Sequence, residues 1–144
     1  KELEVLQSYI ELEKLRSGNH FEYIINFAQE LETEFIRIPP MTIQPFVENA
    51  IKHGLKEKQK GGLLQLSFED QGDILEVIIE DNGIGIEQTQ HQSGKQHKSS
   101  AMEIFEERRR LMQKRYKKKL SVRYLDLKRE GKTGTRVIIH LPVL

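Results

Sequence analysis

The chain has 144 residues, 31% of them charged, and a formal net charge of +1. That length fits one domain with a substantial core, and the balanced charge argues against a nucleic-acid binder or a membrane-surface protein. Cysteine is absent, which excludes disulfides, thiol catalysis and Cys-ligated zinc and agrees with a reducing compartment; no apolar run approaches the roughly 18–20 residues of a spanning helix, and no signal peptide is visible.

The chain lacks an initiator Met and opens inside a helical pattern, so it reads as part of a longer protein. Residues 1–17 carry two apolar stripes, Leu3–Leu6–Ile10 and Val5–Tyr9–Leu12. Two stripes fit either a stalk helix meeting a domain or a plain surface helix. Gly18-Asn19 ends it. Residues 20–27 and 34–38 are rich in β-formers and are expected to be short strands. Pro39-Pro40 forces an extended backbone. A helix should then run from an N-cap at Thr42, with Pro45 in its first turn, to about Lys56. Residues 63–69 and 73–80 read as a strand pair around Gln71-Gly72.

After the second of these strands come Asp81-Asn82-Gly83-Ile84-Gly85-Ile86 and a polar stretch over 87–100. That stretch has too little apolar surface to fold by itself and is expected to be a mobile loop. Helix returns over 100–117. Strands are expected at 120–127 and 135–142, joined by a charged turn. Helices and strands in this mixed order predict an α+β fold: a two-layer sandwich with a mixed, mostly antiparallel sheet and helices on one face.

On the 42–56 helix, at about 100° per residue, Ile43, Phe46, Val47, Ala50 and Ile51 share one arc, which belongs to the core. Asn49, Lys52, His53 and Lys56 fall opposite, with Glu48 at the edge. A solvated face with a Glu48–Lys52 pair would account for these residues. A nucleotide site would also use them. The Asn49 amide oxygen is a hard ligand suited to Mg²⁺, Lys52 can offset phosphate charge and His53 can donate to it. Asp81, at a strand end beside a glycine turn, can accept from an amino group such as that of adenine. Two alternate glycines, Gly83 and Gly85, let the backbone approach a ligand closely. A tight hairpin turn is the other reading of Asp81–Gly85.

The segments IPPMTIQPFVENAIKHG, EDNGIGI and GTRVIIHLP, in this order, resemble the ATP-binding domain of LytS-type sensor histidine kinases. Those belong to the Bergerat-fold ATPases, with Hsp90, DNA gyrase B and MutL. The resemblance spans roughly residues 12 to 142. It implies ATP and Mg²⁺ as cofactors, and a catalytic role for Asn49, as metal ligand, and for the adjacent acid Glu48. It further implies phosphate contact by Lys52 and His53, adenine recognition by Asp81, and a pocket shaped by Gly83, Gly85 and Ile86. Thr135 would support the adenine end through water. The second glycine-rich box of relatives aligns with Ser99-Ser100-Ala101-Met102-Glu103-Ile104, without its glycines and asparagine. Ser99, Ser100 and Ala101 still offer backbone N–H donors to phosphate at a helix N-terminus.

The resemblance also implies a phosphoacceptor histidine on a dimerisation stalk. None of His20, His53, His91, His97 and His140 has the expected setting, so the acceptor is expected before residue 1. Residues 1–17 would end the stalk, and residues 18–144 would form the catalytic domain. The implied partners are the protein's own phosphoacceptor domain and a response regulator, of the LytTR type, with no direct nucleic-acid contact. The implied setting is the cytoplasmic side of a membrane-anchored homodimer. A degenerate nucleotide-binding or interaction module of the same fold is the alternative. The basic run 108–119 reads as a solvated helix face, partly balanced by Glu103, Glu106 and Glu107, rather than as a nucleic-acid patch. GKTGT at 131–135 lacks the glycine a P-loop needs five residues earlier, since Asp126 sits there.

Overall fold

The structure is a computed structural model. It describes residues 2–16, 21–27, 43–55, 61–72, 74–83, 103, 106–107, 109–111, 113–114 and 120–142. Helix α1 (Glu2–Arg16) leads to strand β1 (Phe21–Phe27). Helix α2 (Gln44–Asn49) continues as a π-helical turn (Ala50–Gly54). Strands β2 (Gly62–Asp70) and β3 (Ile74–Asp81) follow, then β4 (Ser121–Asp126), a 3₁₀ turn (Leu127–Glu130) and β5 (Thr135–Pro142). The strands form one sheet in the order β1-β2-β3-β5-β4. Only β1 and β2 run parallel; the other three neighbouring pairs are antiparallel. The mixed, mostly antiparallel sheet with helices on one face is the architecture expected from the sequence.

Period-2 alternation decides which face of the sheet is covered. Leu64, Leu66 and Phe68 of β2, Leu75, Val77 and Ile79 of β3, and Val137, Ile139 and Leu141 of β5 are all buried. They form one cluster with Ile43, Phe46, Val47, Ala50, Ile51 and Leu55 from the α2 region and with Leu6 and Ile10 of α1. The arc Ile43–Phe46–Val47–Ala50–Ile51 is thus core, as its spacing predicts. Each such side chain stabilises by about 1.5–3 kcal/mol. Surface ion pairs contribute about 0–1 kcal/mol, so packing holds α2 in place.

Three local expectations are corrected. The cap position of α2 falls on Ile43 rather than Thr42, and no side chain caps it; Pro45 does sit in the first turn, where its missing N–H is no loss. Regular α-helix does not reach Lys56. It stops at Asn49, and the Leu55 N–H reaches back five residues to the Ala50 carbonyl at 2.9 Å. The wider π turn sets residues 50–54 at a spacing that an α-helical wheel does not describe. Finally, only one stripe of α1 is covered: Leu6 and Ile10 are buried while Val5 and Leu12 stand 57% and 56% exposed.

Helix α1 is pinned to β1 by a Lys14–Glu22 ion pair of 2.9 Å and by the Tyr23 hydroxyl, which donates to Glu11. The described residues between 103 and 114 are helical, as expected. There Arg109, rather than Arg110, meets Glu106 at 2.7 Å. The expected strand at 34–38 and the expected loop at 87–100 lie outside the described residues.

Candidate functional site

Strand parity carries Asp81 onto the covered face of the sheet. It continues the series Leu75, Val77, Ile79, and it is 4% exposed, the single buried charged or polar residue among those described. In the sheet it lies between Leu64 of β2 and Thr135 of β5, the partners given by the register. A carboxylate placed there stands in a row that is otherwise apolar or hydroxyl-bearing. The Gly83 N–H donates to Asp81 Oδ1 at 2.9 Å, closing a turn that fixes the carboxylate.

The neighbouring loop is held by Asn82, a residue the sequence reading passed over. Its Oδ1 accepts from the Leu63 N–H at 2.7 Å, and its Nδ2 donates to the Gly61 carbonyl at 2.8 Å. The Asn82 N–H also reaches the Leu63 carbonyl at 3.3 Å, and the Thr133 hydroxyl donates to the Asn82 carbonyl at 3.4 Å. One amide thus ties the start of β2 and the turn before β5 to the end of β3. No spacing rule would have singled it out.

Gly134 is the second overlooked residue. Its φ is +122°, and a Cβ there would collide with the Asp81 carbonyl oxygen and lie 2.8 Å from Asn82 Cα. The backbone before β5 therefore presses directly onto the Asp81–Asn82 peptide. The GT pair in the sequence was legible as a motif through Thr135; the requirement for glycine at 134 comes from this contact.

On α2, Glu48 and Asn49 are half-buried and Lys52 is exposed. Lys52 Nζ lies 2.8 Å from Glu48 Oε1, the i,i+4 pair expected from spacing alone. The π turn that follows Asn49 packs against β3, the strand that ends in Asp81. His53 lies within that turn. Gly85, Ile86, Ser99, Ser100 and Ala101 lie outside the described residues. The structure therefore unites Asp81, Gly83 and Thr135 at one end of the covered sheet face, and Glu48 with Lys52 on the adjoining helix.

The Tyr9 side chain of α1 packs against the core cluster, and its hydroxyl is buried with no hydrogen-bond partner among the described residues. Burial first, then the negative charges of Glu48 and Glu13, push that hydroxyl up to about 12. Tyr9 is therefore a protonated donor at neutral pH.

A family model described as "Histidine kinase-, DNA gyrase B-, and HSP90-like ATPase" matches residues 40–144. Among curated relatives, YwpD of Bacillus subtilis (strain 168) is 38% identical over 86 residues, covering 59% of this chain and 30% of that protein. The sensor protein LytS of Streptococcus mutans is 36% identical over 81 residues, covering 56% of this chain and 13% of that protein. The chain therefore spans less than a third of the length of these relatives. The solved mycobacterial sensor histidine kinase MprB superposes with a TM-score of 0.64 at 17% identity, over 98% of this chain and 93% of that one. At that identity the likeness concerns the fold.

Proposed function

This chain belongs to the histidine kinase-, DNA gyrase B- and HSP90-like ATPase family, and we propose that it serves as the ATP-binding catalytic domain of a sensor histidine kinase, donating the γ-phosphate to a histidine outside residues 1–144. The observation that carries the reading is the buried Asp81 carboxylate at the end of β3, paired in register with Thr135, beneath a turn whose Gly134 admits no side chain. The motif order and the sensor-kinase relatives support it.

The residues fit Mg·ATP. A buried carboxylate is a strong acceptor for the exocyclic amine of a purine and a poor partner for its carbonyl. The Asn49 amide oxygen is a hard donor, and the described residues include no trio of His, Asp or Glu that could cage a metal alone. An ion held by Asn49 would complete its shell with water and phosphate oxygens, the habit of Mg²⁺. Bound Mg·ATP supplies an electrophilic γ-phosphoryl group at this face. Asp81, held by the Gly83 N–H, orients the base, with Thr135 beside it. Lys52 offsets phosphate charge, and so does His53. Gly83, Gly85 and Ile86 line the pocket, and Ser99, Ser100 and Ala101 present backbone N–H groups. Glu48 acts on the attacking group. Catalysis of this kind is mainly positioning and charge neutralisation.

The parent protein would place this domain on the cytoplasmic side of a membrane, as a homodimer signalling to a response regulator of the LytTR type. Residues 1–17 would end its stalk. No described helix is long and apolar enough to cross a membrane.

The test supplies the stalk segment with its histidine as a separate polypeptide, together with radiolabelled ATP and Mg²⁺. The wild-type chain labels the stalk, and Asn49→Ala lowers the rate on the order of 100-fold while weakening Mg·ATP binding. An Asn49→Ala chain with unchanged Mg·ATP affinity would remove the metal role. A wild-type chain that binds Mg·ATP yet never labels the stalk would instead support a non-catalytic module of the same fold, which the altered box at Ser99–Ile104 also favours.

A further inference from the structure

Between α1 and the polar side of α2 lies a small group of polar side chains with an uneven division of partners. Glu48 is paired with Lys52 at 2.8 Å and Glu13 with Arg16 at 3.0 Å. The Tyr9 hydroxyl, buried close to them, has no partner among the described residues. A buried hydroxyl left unbonded is costly, so a second arrangement that satisfies it lies close in energy. The Glu48–Lys52 pair is partly solvated, with side chains 39% and 52% exposed, and is worth only a few tenths of a kcal/mol. It yields easily to a competing anion at Lys52. Among the charges acting on the Tyr9 hydroxyl, Glu48 exerts the largest effect, ahead of Glu13 and Arg16.

We propose that Tyr9 is a positioning residue: when Lys52 turns to a polyphosphate, the Tyr9 hydroxyl becomes the hydrogen-bond donor that holds the Glu48 carboxylate. The exchange makes and breaks only hydrogen bonds and an ion pair, and the Tyr9 proton stays on its oxygen. It links the state of the nucleotide face to α1, whose position on the sheet is fixed by Lys14–Glu22 and Tyr23–Glu11. Movement of α1 would draw Tyr9 away from Glu48 and return Lys52 to it. The link to polyphosphate rests on the function proposed above; the Tyr9–Glu48 exchange does not.

Two arms of one experiment separate these claims. Without nucleotide, Tyr9→Phe leaves the melting temperature of the chain unchanged or raised, because it removes an unbonded polar atom. In a Lys52→Met background, where Glu48 is released to Tyr9, the same change lowers it by about 3 °C. With Mg·ATP, Tyr9→Phe weakens binding about fivefold, and the loss vanishes in a Glu48→Gln background. Equal thermal effects of Tyr9→Phe in both backgrounds would overturn the exchange. So would a coupling to Glu13→Gln in place of Glu48. A positive thermal arm with no change in Mg·ATP affinity would keep the exchange and refute its use by the nucleotide, leaving the ATP reading to stand or fall by Asn49→Ala.

Discussion

Gly134→Ala is expected to destabilise the chain by about 3 kcal/mol, lowering its melting temperature by roughly 10 °C. Two costs combine. The first is the backbone: at φ +122° an L side chain is strained. The second is steric, because the added Cβ meets the Asp81 carbonyl and Asn82 Cα, which are main-chain atoms and cannot rotate away. Asn82 is itself clamped to Gly61 and Leu63, so the obstacle cannot shift without breaking that clamp. Gly72 provides the control. It also has positive φ, at +94°, but nothing lies within 4 Å of its would-be Cβ. Gly72→Ala should therefore cost only about 1 kcal/mol, the backbone share alone. Thermal denaturation followed by circular dichroism compares the two. Equal losses would mean that the close approach over Asp81 contributes nothing.

The second large effect is on binding. Asp81→Asn keeps the side-chain volume but replaces a charged acceptor by an amide, in a row flanked by Leu64 and Thr135. Affinity for Mg·ATP should fall on the order of 50-fold, since a hydrogen bond to a buried charge contributes about 1.5–3 kcal/mol and a mispaired polar group adds to the loss. Affinity for Mg·GTP, whose base offers a carbonyl at the corresponding position, should change little. Calorimetric titrations of both nucleotides into both chains measure the ratio. An unchanged ATP affinity, or parallel losses for ATP and GTP, would remove Asp81 from base recognition.

Strong periodicity made much of this structure readable in advance. β5 runs over Thr135–Pro142, as its apolar pattern predicts, and the core arc of α2 emerges because Ile43, Phe46, Val47, Ala50 and Ile51 are spaced for one face. The burial of Asp81 was also present in the pattern, in the series Leu75, Val77, Ile79, Asp81, where a carboxylate occupies the next inward place. Other features depended on contacts between distant segments. Asn82 in a DNG turn looks like any turn residue until the segments it bridges, at Gly61–Leu63 and Thr133, are brought beside it. Gly134 is similarly explained only by the peptide packed against it. The π turn at Ala50–Gly54 follows from tertiary packing on β3, which no helical propensity records. The buried Tyr9 hydroxyl was hidden for the same reason: on the helix alone Tyr9 belongs to the stripe of Val5 and Leu12, both of which stay exposed.

The most direct measurement is a crystal structure of the chain with Mg²⁺ and a non-hydrolysable ATP analogue. The account predicts the adenine amine within hydrogen-bond distance of an Asp81 carboxylate oxygen, Mg²⁺ on the Asn49 amide oxygen, and Lys52 moved from Glu48 toward phosphate. A base lodged away from Asp81, or a metal with no contact to Asn49, would contradict it.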